Sequence, residues 1–138
     1  MGEETPRPLV LVVDDDADVR DAVVEILQQH YEVLAVGGGS EALVLLRHRG
    51  IAAIVLDVLM PEMDGLTTLR QARQIDPTVG IVMVTAVDTA RTARDALKLG
   101  AVDYVTKPFT CDGLLAAVAS AVAHRGGALG RHEATVGI

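Results

Sequence analysis

The chain has 138 residues, half of them apolar and spread in short runs, which fits one domain with a real core and excludes a disordered polymer. A formal charge of −7 and only 2% aromatic residues argue against direct nucleic-acid binding, because an acidic surface repels phosphates and offers no stacking platform. Cys111 is the only cysteine, so an internal disulfide framework and a cysteine-based zinc site are excluded, and Cys111 is expected to be a reduced structural thiol. The apolar runs fall short of the roughly 20 residues that span a bilayer. Residues Met1 to Pro8 include Glu3, Glu4 and Arg7 and no apolar stretch of a secretory signal, so a cytoplasmic location is expected.

Five apolar runs mark strands: Leu9 to Val13, Tyr31 to Val36, Ile51 to Leu56, Gly80 to Val84 and Ala101 to Val105. Rich in Val and Ile and mostly without polar alternation, they suit strands buried on both faces of a parallel sheet. Between the first two, Val19, Ala22, Val23, Ile26 and Leu27 recur at helical spacing and predict one apolar face. A second helix is predicted from Ser40 to Gly50, a third from Gly65 to Gln74 ahead of Pro77, and a fourth from Asp88 to Gly100. The last is predicted to start near Thr110, to carry Leu115, Val118 and Val122 on one side, and to end at Gly126 and Gly127. Five β-α repeats imply right-handed crossovers and a three-layer α/β sandwich around a five-stranded parallel sheet. Residues 1–7 read as an extension, 8–125 as the domain, and 126–138 as a tail or the start of a linker.

Ligand sites in open α/β sheets form at the carboxyl ends of the strands. There the sequence puts Asp14, Asp15 and Asp16 after the first strand, Asp57 after the third, Thr85 after the fourth, and Lys107 with Pro108 after the fifth. Several carboxylates converging on a small pocket repel one another unless a cation is present. Oxygen ligands without histidine or cysteine suit a hard ion, Mg²⁺ better than a dedicated Ca²⁺ cage, with Mn²⁺ as a possible substitute. Asp14, Asp15, Asp57, one dication and Lys107 together carry no net charge. Asp57 is a candidate nucleophile toward phosphorus, with Thr85 and Lys107 placed to take the charge of the transferred group.

Four segments, Val12-Val13-Asp14-Asp15, Leu56-Asp57-Val58-Leu59-Met60-Pro61-Glu62-Met63-Asp64-Gly65, Val84-Thr85-Ala86 and Asp103-Tyr104-Val105-Thr106-Lys107-Pro108-Phe109, resemble the motifs of response-regulator receiver domains of two-component signalling, similar to chemotaxis and NtrC-type receivers. The resemblance covers residues 8 to 124. It implies the flavodoxin-like strand order 2-1-3-4-5. It further implies that Asp57 is phosphorylated by a sensor histidine kinase or phosphotransfer protein, that Asp15 and Asp57 ligate Mg²⁺ directly, that Asp14 reaches the metal mainly through water, and that the Leu59 backbone carbonyl is another ligand. Thr85 and Lys107 would grip the phosphoryl oxygens. The Lys107–Pro108 peptide would be cis, which proline tolerates far better than other residues. Tyr104 would be a switch aromatic following Thr85, and the face from the fourth helix through the fifth strand to the fifth helix would be the output surface. The protein is then a switch that assists its own phosphorylation and dephosphorylation rather than a turnover enzyme. It would be a monomer or a phosphorylation-dependent dimer, acting on an effector protein or a fused effector domain absent from this chain. Apolar Leu59 and Val87 flank the pocket in similar domains and would hinder attacking water, so slow loss of phosphate is expected.

Two other functions compete. Val12-Val13-Asp14-Asp15-Asp16 can be read as the Asp-x-Asp motif of a haloacid-dehalogenase-like phosphatase with Asp14 as nucleophile, but this leaves Asp57 idle, and the chain lacks a fitting acidic pair after the lysine and a cap insertion. A phosphate-independent interaction domain would keep the fold without using the pocket. Asp16 reads as a solvated helix-start residue outside the site. Gly37-Gly38-Gly39-Ser40 reads as a flexible turn, since it lacks the lysine of a P-loop and the spacing of a dinucleotide fingerprint. His30, His48, His124 and His132 are scattered, and none is assigned as a phosphodonor or ligand. Arg70, Arg73, Arg91 and Arg94 are expected on solvated helix faces.

Overall fold

Val10, Leu11, Val12 and Val13 are buried on both faces of the first strand. Such a strand needs cover above and below, which helices packed on both sides of a parallel sheet supply. The computed structural model describes residues 6–58, 63–86 and 90–126, with only the backbone of Ala90, Thr92, Ala93, Arg125 and Gly126. Strands β1 (Leu9–Val13), β2 (Glu32–Val36), β3 (Ala53–Asp57), β4 (Gly80–Thr85) and β5 (Asp103–Thr106) alternate with helices α1 (Ala17–Leu27), α2 (Gly39–His48), α3 (Gly65–Ile75), α4 (Ala90–Lys98) and α5 (Cys111–Gly126). The strands form one parallel sheet in the order β2-β1-β3-β4-β5.

Side chains alternate between two cores. Leu11, Val13, Ile54, Leu56, Ile81 and Met83 meet Leu43, Leu46, Leu69 and Ala96 from α2, α3 and α4 on one face. On the other, Val10, Val12, Val55, Val82 and Val84 meet Val23 and Leu27 of α1 and Leu114 and Val118 of α5. The inner strands β3 and β4 are buried throughout, whereas the edge strands β2 and β5 are only partly covered or exposed.

Several boundaries and faces differ from the sequence reading. Tyr31 belongs to the exit of α1, its amide donating to the Leu27 carbonyl, so β2 begins at Glu32. In α1, Ala22 is exposed, while Val23 and Leu27 carry the buried face. The α5 face is rotated from the predicted Leu115–Val118–Val122 stripe: Leu114, Ala117, Val118 and Ala121 are buried, and Leu115 and Val122 only partly so. The reason is close approach. A β-carbon at Gly80 would collide with the Ala121 carbonyl, so α5 lies against β4 through small residues that a search for large apolar side chains passes over.

Gly37 and Gly38 form the turn from β2 into α2, and the packing constraint falls on Gly39. Gly39 is the buried first residue of α2, and a β-carbon there would collide with the Thr68 hydroxyl and lie 3.1 Å from the Met63 sulfur. Arg73 also departs from expectation, because it is half-buried and bound to backbone. Its Nε and Nη2 donate to the Gly100 carbonyl at 3.0 and 2.8 Å, and Nη1 reaches the Asp76 and Pro77 carbonyls, each at 3.4 Å. Gly100 has φ +108°, with its amide donating to Leu97 and that of Ala101 to Ala96, the glycine-ended helix stop known as a Schellman motif. Arg70, Arg91 and Arg94 are exposed, as expected.

Candidate functional site

Strand register decides which side chains meet. Val13 pairs with Leu56, Asp57 with Val84, and Thr85 with Thr106. Asp14, Asp57, Thr85 and Lys107 therefore all lie at the carboxyl edge of four adjacent strands, where residues distant in sequence can share one pocket.

Asp14 is 4% exposed and is held at every polar atom. Its amide donates to the Val36 carbonyl at 3.2 Å, and its Oδ1 accepts from the Asp16 amide at 2.9 Å. Its carbonyl accepts from Arg20 Nη1 at 2.8 Å, and Lys107 Nζ lies 3.4 Å from Oδ2. Asp57 is 5% exposed, with its Oδ1 3.6 Å from the same Lys107 nitrogen. Asp15 is exposed, yet one carboxylate oxygen from each of Asp14, Asp15 and Asp57 falls within a 4.8 Å cluster. Two of these carboxylates are buried, and one lysine does not balance three. Like charges at this range repel one another, and a cation held between them would offset that repulsion. The oxygen-only donor set fits a hard divalent ion.

Local structure fixes the Asp57 end of β3. A β-carbon at Gly65 would collide with the Asp57 carbonyl and come within 2.7 Å of Val58 Cα, while the Gly65 amide donates to Val58 at 2.7 Å. Only glycine lets α3 begin directly on that backbone. Asp64 caps the helix by accepting from the Thr67 amide at 2.8 Å. Asp16 does the same for α1, accepting from Asp18 and Val19 at 3.0 and 3.3 Å, and it stands outside the acidic cluster.

Thr85 is fully buried, and its carbonyl accepts from the Lys107 amide at 2.7 Å, tying the ends of β4 and β5 together beside the pocket. Tyr104 is partly buried in register with Met83 and packs against the core shared with α2, α3 and α4. The Lys107–Pro108 peptide is cis. Leu59, Met60, Pro61 and Val87 lie outside the described residues, so the Leu59 carbonyl has no described position. His30 and His48 are exposed and not part of the cluster. The residue that sequence reasoning passed over is Arg20. Its signal was faint, a single arginine on the polar side of an amphipathic helix.

The family model "Response regulator receiver domain" matches residues 10–119. Among curated proteins, the chain is 37% identical over 116 residues to the transcriptional regulatory protein ZraR of Escherichia coli O157:H7, covering 83% of this chain and 26% of that protein. The chain thus spans about a quarter of the length of the ZraR proteins it matches. It is 35% identical over 111 residues to the chemotaxis protein CheY of Bacillus subtilis, covering 79% of this chain and 92% of CheY. Among solved structures, the NtrX receiver domain from Brucella abortus superposes with a TM-score of 0.78 at 31% identity, covering 82% and 97% of the two chains. A CheY-like receiver domain protein from Methanospirillum hungatei superposes with a TM-score of 0.81 at 26% identity, covering 87% and 97%. Family match, full-length relative and fold agree: the chain belongs to the response regulator receiver domain family.

Proposed function

We propose that this receiver domain takes a phosphoryl group onto Asp57 from a sensor histidine kinase or phosphotransfer protein, in a Mg²⁺-dependent reaction, and relays the change to an effector. The observation that carries the reading is the gathering of Asp14, Asp15 and Asp57 oxygens within 4.8 Å, with Lys107 Nζ 3.4 Å from Asp14 and 3.6 Å from Asp57. Asp15 and Asp57 would hold the metal directly, Asp14 mainly through water and Leu59 through its carbonyl; Mn²⁺ would substitute. Bound there, the ion supplies positive charge for the phosphoryl oxygens and relieves the repulsion among the acids.

This chain's own residues account for the remaining steps. An Asp57 oxygen attacks phosphorus, the bond from phosphorus to the donor breaks, and the donor leaves with the bonding electrons. Lys107, already facing the Asp57 carboxylate, balances charge on the incoming oxygens, and the Thr85 hydroxyl donates to them. Phosphorylation adds negative charge at the strand ends, which draws Thr85 toward the pocket and lets Tyr104 turn inward beside it. The face from α4 through β5 to α5 carries the output.

Residues 8–125 are the functional unit and 126–138 a tail or linker start. The effector is a separate protein or a fused domain, in keeping with the ZraR proteins, which are named transcriptional regulators and are longer than this chain. Nucleic acid is not contacted by this acidic chain itself. Among the described residues no helix is long and apolar enough to cross a membrane, and we place the domain in the cytoplasm, as a monomer or a phosphorylation-dependent dimer. It is a switch rather than a turnover enzyme.

Intact-mass measurement with acetyl phosphate and Mg²⁺ tests the assignment. One phosphoryl adduct is expected, mapping to Asp57 and lost in Asp57→Asn or on chelation. An adduct retained in Asp57→Asn, or one lost only in Asp14→Ala with turnover of phosphomonoesters, would overturn it.

A further inference from the structure

Arg20 reaches out of α1 to the loop that carries two of the three clustered acids. Its Nη1 donates at 2.8 Å to the carbonyl of Asp14, the oxygen of the peptide joining Asp14 to Asp15. The same nitrogen lies beside Gly37, 3.4 Å from where a β-carbon would stand. Arg20 is thus held between the β1–α1 and β2–α2 connections. The same two connections are tied by the Asp14 amide on the Val36 carbonyl.

The other bonds to Asp14 act on its side chain or its amide, and Asp15 is exposed. Among the described hydrogen bonds, Arg20 therefore makes the one to the carbonyl oxygen of the Asp14–Asp15 peptide. Turning that peptide would move both carboxylates relative to Asp57 at once, and ligand sets that drift out of register lose affinity steeply.

We propose that Arg20 is a positioning residue of the acidic pocket, fixing the Asp14–Asp15 peptide so that the two carboxylates stay in register with Asp57. This rests on the reading of the pocket as a divalent-metal site. A purely Coulombic role for Arg20 predicts the opposite sign, since a cation near the pocket competes with a metal ion. Charge and geometry can therefore be separated by experiment.

The measurement is Mg²⁺ affinity by calorimetry on the whole chain, for wild type, Arg20→Met and Arg20→Lys, with thermal stability recorded in chelator. Arg20→Met is expected to weaken Mg²⁺ binding roughly 10-fold, in the range typical of lost ligand-orienting contacts. The ratio to wild type is expected to be the same at about 0.05 M and about 0.5 M KCl, because hydrogen-bonded geometry is not screened as charge is. Stability in chelator is expected to change little, and phosphoryl incorporation from acetyl phosphate to recover at saturating Mg²⁺. Arg20→Lys, which keeps the charge but loses the planar fork and some reach, is expected to fall between the two. Wild-type or tighter affinity in Arg20→Met, or a loss that vanishes at high salt, overturns the proposal. Should Arg20→Met not fold, wild-type affinity in Arg20→Lys does so. Failure of the wild type itself to bind Mg²⁺ would instead strike the metal-site reading.

Discussion

Arg73 on α3 grips the carbonyl of Gly100, the residue that ends α4, through two nitrogens at 3.0 and 2.8 Å. A β-carbon at Gly100 would lie 2.7 Å from Arg73 Nε, so each residue is shaped around the other. Burial lowers the pKa of the guanidinium, with Asp76 acting in the opposite sense, and the contact remains an ionised one at any ordinary pH. Arg73→Met is expected to destabilise the domain by about 2 kcal/mol, the scale for losing charged hydrogen bonds to partly buried carbonyls. Urea unfolding checks this, and an unchanged midpoint would show the clamp to be idle.

Gly65→Ala is expected to cost about 2–3 kcal/mol by forcing a methyl into the backbone at Asp57, and to lower phosphoryl incorporation even where the protein remains folded. Denaturation and intact-mass labelling of the same sample separate the two effects. Labelling at the wild-type rate would mean that the backbone at Asp57 tolerates displacement.

Removing the metal should reverse the order of stability at the pocket. In chelator, Asp57→Asn removes one of three clustered acids while Lys107 keeps Asp14, so the variant is expected to be about 1 kcal/mol more stable than wild type. In excess Mg²⁺ the wild type gains binding energy that the variant largely lacks, and the order inverts. Paired denaturation curves with and without Mg²⁺ read both signs; a variant less stable in each condition would show that repulsion is not what the ion relieves.

Leu59 and Val87 are apolar, and the phosphorylated form is expected to lose its phosphoryl group slowly. Leu59→Asn should shorten its lifetime by admitting and orienting water. Phosphate-release kinetics decide, and equal lifetimes would discard the idea.

Burial raises the pKa of Tyr31 above its ordinary value of 10.0. The neutral ring is thus favoured in the folded state, and its contribution to stability is complete below the unfolded pKa and is lost as pH rises through the higher folded one. Tyr31→Phe should flatten the fall in stability above about pH 10. An unaltered alkaline profile would assign that fall to other groups.

The sheet was legible because β1, β3 and β4 are buried on both faces and carry no polar residue before the last position of the strand, so nothing interrupts the apolar pattern. The site was legible for a related reason: in a parallel sheet each strand delivers its last residue to the same edge, so Asp14, Asp57, Thr85 and Lys107 could be grouped from strand ends alone. What the sequence hid were contacts made by absence or by reach. Gly39, Gly65 and Gly80 matter through the β-carbon they lack, and Arg20 and Arg73 through backbone carbonyls that no residue pattern marks. The Ala117 and Ala121 face of α5 was missed because small residues signal proximity only once the neighbour is known.

The seating of Gly65 on the Asp57 carbonyl gives the pocket a mechanical stop. The first residue of α3 lies directly against the backbone of Asp57 and Val58, with no room for even a methyl group between them. On the proposed reading of Asp57 as phosphoacceptor, this contact would resist movement of the strand end toward α3 when a group is added.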